Sequence, residues 1–181
     1  MTSSNDSLAF QIEYYAGAVN EPLEAFREKF GLAFFIHDGE IGAAGALERT
    51  TLFRTIFPID AAESSPKRLK IPAEKQWVFP VRSSGRATFS HFISVGRSND
   101  YDIVLNHSSV SKFHASITLE NGIFMLQDGG SRNGTFINNE RLVTRVKMEM
   151  KTGAKVRFGD VTLQFMKCTA FRDHLRRIYG D

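Results

Sequence analysis

The chain of 181 residues has one cysteine, Cys168, and one tryptophan, Trp77. A single thiol excludes an internal disulfide and any cysteine-rich zinc site. No apolar run approaches the ~20 residues that cross a bilayer. The opening MTSSNDSLAF lacks a basic segment followed by an apolar one, so no secretory signal is read there and a soluble, cytoplasmic protein is expected. There is no internal repeat, no low-complexity tract, no Walker pattern in RSSGRATF (82–89) and no Gly-x-Ser-x-Gly elbow. His37, His91, His107 and His174 show no metal-ligand spacing with one another or with Cys168, so neither metal nor cofactor is expected.

What is present is an ordinary globular composition, with 42% hydrophobic and 24% charged residues and sixteen phenylalanines to build a core. Charge is unevenly placed. Residues 1–75 hold 8 Lys/Arg against 11 Asp/Glu, a net −3, whereas residues 76–181 hold 15 against 9, a net +6. A basic second half suits an anionic partner.

Two patterns divide the chain. In the first, LAFQIEY (8–14) alternates like a short strand, and NEPLEAFREKFG (20–31) predicts a helix with Asn20 as cap, Pro22 in its first turn and Gly31 at its end. LAFFI (32–36) reads as a buried strand, and GALERTTLFRTIF (45–57) is ambiguous, a second helix being the reading it admits. The polar, proline-bearing DAAESSPKRLKIPAEK (60–75) reads as a linker. From Trp77 onward short β segments alternate with turns: WVFPV, ATFSHFISV, DIVL, HASITLE, IFMLQD, TFIN, KVRF and VTLQFM. That rhythm predicts an antiparallel β-sandwich. TAFRDHLRRIYGD (169–181) returns to helical spacing, with Phe171, Leu175 and Ile178 on one side. The expected division is an N-terminal α+β region (1–59), a linker (60–76), the sandwich (77–167) and a helical tail (168–181).

Within the sandwich, SVSKFHA (109–115) sets Ser111, Lys112 and His114 within four positions. A nucleophile there would need His114 as base, a carboxylate to orient it and an oxyanion hole, and the neighbouring sequence supplies neither of the last two. A binding role gains force from two further loops. VGRSNDYDIVL (95–105) places Gly96-Arg97 at a strand end, and DGGSRNGTFINNERL (128–142) places Ser131-Arg132-Asn133-Gly134-Thr135 before the next strand.

The ordered set Gly-Arg, Ser-x-x-His, Asn-Gly-Thr and a closing Gly-Asp turn resembles the forkhead-associated (FHA) family over about residues 77–167. The resemblance implies a β-sandwich, mainly β overall, that binds phosphothreonine peptides through loops at one end and catalyses nothing. It implies phosphate contacts from Arg97, Ser111 and Lys112, a ligand-backbone clamp from Asn133, and a supporting guanidinium from Arg132. Gly96, His114, Gly134 and Thr135 are then structural supports of the site, and Ser109, Asn106 and Asn138 candidates for its rim. Asn138-Asn139 stands where the family often has Asn-Gly, and asparagine tolerates the left-handed turn. The expected partner is a phosphothreonine-bearing protein or a Ser/Thr kinase, with no membrane or nucleic-acid partner. The alternative is a phosphorylation-independent adaptor.

Overall fold

The computed structural model describes residues 10–37, 76–83 and 92–180. Among these, twelve strands run in order: β1 (Phe10–Gln11), β2 (Ala33–His37), β3 (Trp77–Pro80), β4 (Ile93–Gly96), β5 (Ile103–Val104), β6 (Ala115–Glu120), β7 (Ile123–Asp128), β8 (Thr135–Ile137), β9 (Glu140–Arg141), β10 (Lys147–Glu149), β11 (Lys155–Phe158) and β12 (Val161–Lys167). They form a seven-stranded sheet, β1-β3-β2-β12-β11-β8-β9, and a five-stranded sheet, β10-β7-β6-β4-β5. Pairing is antiparallel throughout except between β4 and β5. The predicted sandwich is therefore present.

Its core follows from strand alternation. Ala115 and Ile117 of β6, Phe124 and Leu126 of β7, Val156 and Phe158 of β11, and Leu163 and Phe165 of β12 all turn inward and are buried together. β2 is buried at all five positions because both its faces are covered. Phe35 joins the inter-sheet core, while Phe34 and Ile36 point to the other side.

That other side carries a second core. A 3-10 helix (Ile12–Ala18), helix α1 (Leu23–Phe30) and the tail helix α2 (Cys168–Tyr179) bury Ile12, Tyr15, Phe26, Phe30, Phe171 and Leu175 against Phe34, Ile36, Val78 and Met166. The N-terminal residues thus share the sandwich's sheet: β2 lies between β12 and β3, with His37 opposite Trp77.

Three local expectations are corrected. The strand expected over 8–14 is extended only at Phe10–Gln11, because Ile12, Tyr15 and Ala18 repeat every three residues and bury one stripe of a 3-10 helix. Helix α1 begins at Leu23 with Pro22 as its N-cap residue and no side-chain cap, so Asn20 does not cap it. β9 and β10 are strands that the sequence pattern did not reveal. The readings over 45–57 and 60–75, and most of 82–89, lie outside the described residues.

Candidate functional site

Three loops of the sandwich are laced together by their own main chains. β4 ends at Gly96, where an added Cβ would fall 1.9 Å from the carbonyl oxygen of Lys112. No other residue fits so close a crossing. Directly after it, the Arg97 N–H donates to the carbonyls of Ser111 and Lys112, both at 3.0 Å. The chain returns into β5 over Asp102, which is buried. Its carboxylate accepts from the Ser94 N–H and hydroxyl at 2.8 and 2.7 Å.

His114 ties the second loop to the third. The ring is fully buried; Nδ1 accepts from the Ser111 N–H at 3.1 Å, so Nε2 carries the proton and faces the Gly134 carbonyl at 3.1 Å. Burial pushes its pKa below the ordinary 6.5, outweighing the raising effects of the Gly134 carbonyl and Asp128, so the neutral form is favoured. The histidine therefore holds the main chain of Ser111 and makes no nucleophile pair with its hydroxyl. Ser111 Oγ instead accepts from the Arg132 N–H at 3.0 Å, which leaves the hydroxyl proton available to donate.

Asp128 organises the third loop. Its carboxylate accepts from the N–H groups of Gly130 (2.9 Å) and Ser131 (3.1 Å) and from the hydroxyls of Ser131 (2.6 Å), Thr135 (2.7 Å) and Thr144 (3.3 Å). Burial alone would raise this carboxyl, yet the donors from Ser131, Thr135 and Gly130 together hold it below the usual 3.8. Ser131 Oγ in turn accepts from the Gly134 N–H at 3.0 Å, closing the turn that presents Arg132 and Asn133. Gly134 has φ +82°, in the left-handed region.

The side chains offered by this frame are polar and mostly cationic. Arg97, Lys112, Arg132 and Asn133 are exposed and Ser111 is half-buried. Among the described residues no carboxylate forms an ion pair with Arg97, Lys112 or Arg132. Asn133 spends one amide N–H on the Ser109 carbonyl at 2.7 Å, keeping its carbonyl and second N–H for other partners.

Two rim candidates do not stand at the rim. Ser109 is 8% exposed, and its hydroxyl accepts from the Asp160 N–H at 2.8 Å while facing His107 Nδ1 at 2.7 Å. A residue so engaged braces the loop from beneath. Asn138 and Asn139, with φ of 49° and 71°, form the tight β8–β9 turn, and Asn138 Oδ1 accepts from the Lys155 N–H at 2.9 Å. Asn106 is half-buried between β5 and His107. Sequence reasoning missed Asp128, Asp102 and His107. For Asp128 a signal existed: an aspartate followed by Gly-Gly-Ser invites a turn that closes on its own carboxylate.

A sandwich that holds a cationic, hydrogen-bonding cup on three interlaced loops is a binding module. Residues 93–159 match the sequence model of the FHA domain. Over 73 residues the chain is 40% identical to "Glycogen accumulation regulator GarA" of Mycolicibacterium smegmatis, covering 40% of this chain and 44% of that protein. It is 36% identical over 73 residues to "Oxoglutarate dehydrogenase inhibitor" of Corynebacterium glutamicum, covering 40% and 49% respectively. The match thus spans less than half of either relative. Among solved structures, the N-terminal FHA domain of Rad53p from S. cerevisiae, solved with a phosphothreonine peptide, is 26% identical over 46% of this chain and 73% of that one, with a TM-score of 0.40.

Proposed function

We propose that this protein recognises phosphothreonine on partner proteins in Ser/Thr kinase signalling, and that it does so by reversible binding in the cytoplasm. A phosphothreonine carries nearly two negative charges and three strong acceptor oxygens. Arg97 supplies paired charge-assisted bonds that a lysine cannot reproduce. Ser111 donates its hydroxyl to a second oxygen and the Lys112 N–H meets a third, with the Lys112 and Arg132 charges adding attraction. Asn133 clamps the ligand's main chain beside the modified residue.

The observation that carries this reading is the bond from the Arg132 N–H to Ser111 Oγ at 3.0 Å. It fixes the hydroxyl oxygen while leaving its proton to be given, and it joins two loops that both bear cations. The test is a fluorescence-anisotropy titration with phosphothreonine, phosphoserine and unmodified threonine versions of one peptide. Binding of the phosphothreonine form alone, weakening below about pH 6 as the phosphate takes up a proton, is the expected result. Equal binding of the unmodified peptide would overturn the proposal and favour the phosphorylation-independent adaptor.

A further inference from the structure

Among the described residues, the outer face of the seven-stranded sheet is covered over one half only. Over β2, β3 and the end of β12 it is roofed by the helices and their aromatic core. Over β9 and β11 the outward positions are cationic, with the aromatic Phe136 of β8 between them. Registers align Arg141 of β9 with Phe136 of β8, and Phe136 with Arg157 of β11. Their inward neighbours Thr135, Ile137, Val156 and Phe158 are buried, so these three project together to the outside.

The row is ordered by stacking. The Arg157 guanidinium carbon sits 3.6 Å from the Phe136 ring centroid, and that of Arg141 sits 5.9 Å from it. Two planar cations held on one ring retain free N–H groups, and less ordering is required of them when they meet an anion. Among the described residues no carboxylate forms an ion pair with Arg141, Arg157 or nearby Lys155. Of the acidic positions closest in sequence, Glu140 alternates to the opposite side of β9. Asp160, in the turn beyond Gly159, is exposed and forms no ion pair with Arg157.

This row adjoins the loop cup. An added Cβ on Gly134, the residue after Asn133, would lie 2.8 Å from Arg141 Nε. The Gly159 N–H donates to the Gly134 carbonyl at 3.0 Å, and Arg157 donates to the Gly159 carbonyl at 2.6 Å. Both guanidiniums thus flank the backbone that supports the Asn133 side of the cup.

We propose that the Arg141–Phe136–Arg157 row is a second recognition surface, taking an acidic stretch of the same phosphorylated partner as it leaves the cup past Asn133. The occupant follows from charge complementarity: stacked guanidiniums with no carboxylate partner among the described residues select carboxylates or a further phosphate on a peptide. This inference rests on the phosphothreonine reading for its partner, though its surface can be probed separately.

The test uses the full chain and two phosphothreonine peptides, one flanked on both sides by aspartates and one by asparagines, each also made with unmodified threonine. Wild type is expected to prefer the aspartate-flanked phosphopeptide by about fivefold in low salt, a preference that falls as salt screens exposed pairs. The R141Q/R157Q variant should lose that preference while binding the asparagine-flanked phosphopeptide as wild type does. R141Q alone, which leaves the closer stack intact, should lose part of it. As a separate readout, the Arg141 and Arg157 Nε–H resonances should shift with either aspartate-flanked peptide, phosphorylated or not. A preference that survives in R141Q/R157Q, or resonances that stay still, overturns the inference. Competition by an oligonucleotide as effective as the acidic peptide also overturns it, assigning the surface to nucleic acid. Failure of the phosphothreonine reading looks different: the asparagine-flanked phosphopeptide and its unmodified form would then bind equally.

Discussion

The loop end of the sandwich and the roof over its outer face are held by different forces. In the roof, rings pack on rings: Phe171 lies 4.3 Å from Phe34 and 5.2 Å from Tyr15 between centroids, and Tyr15 lies 5.0 Å from Phe30. At the loop end, single residues accept several bonds each, as with Asp128 and Ser109. Apolar packing is non-directional, so loss of one ring costs stability broadly and leaves the remaining contacts usable. Hydrogen-bonded loops are directional, so loss of one acceptor leaves buried donors unpaired and moves the side chains they aim. The roof should therefore govern how stable the protein is, and the loops what it grips.

The largest effect should come from the roof. Phe171→Ala removes a fully buried ring and should destabilise the protein by about 3–5 kcal/mol in urea unfolding. Below its unfolding transition the same variant should bind phosphothreonine peptide like wild type. Asp128→Ala should cost less stability, about 2–3 kcal/mol, because of the freed donors only the Thr135 hydroxyl is fully buried and the others are partly exposed. It should nevertheless weaken peptide binding, since the turn bearing Arg132 and Asn133 loses its anchor. A loss of binding in Phe171→Ala with none in Asp128→Ala would reverse the division of roles.

The smallest effect is a pH slope. His114 is held below its ordinary 6.5 by burial, so the unfolded chain takes up the proton first as pH falls. Its contribution is fully present above pH 6.5 and is lost as pH drops below that value toward the depressed folded one. His174, lowered by burial and by Arg177, adds a slope of the same sign. Melting temperature should therefore fall below pH 6.5, and the fall should be shallower in His114→Gln. An unchanged slope in that variant would remove His114 from the mechanism.

The comparison also shows which parts were legible in the sequence. Strand alternation over HASITLE and IFMLQD, and the Gly-Arg, Ser-x-x-His and Asn-Gly-Thr loops, are local patterns, and the structure brings those loops together. The lock from Asp160 to Ser109 spans 51 positions and that from Asn133 to Ser109 spans 24, so neither leaves a local trace. For the same reason Ser109 read as an exposed loop serine. The entry of β2 between β3 and β12 was equally hidden, because five consecutive apolar-flanked buried positions say that both faces are covered without saying by what.

The convergence of Arg97 and Ser111 on one dianion is tested most directly by a double-mutant cycle, with Arg97→Ala, Ser111→Ala and the pair titrated against a phosphothreonine peptide by calorimetry. If both groups hold the same phosphate, each single change weakens binding strongly, and the double change costs less than the two together by roughly 1 kcal/mol or more. Strict additivity, or an Arg97→Ala variant that binds like wild type, would contradict it.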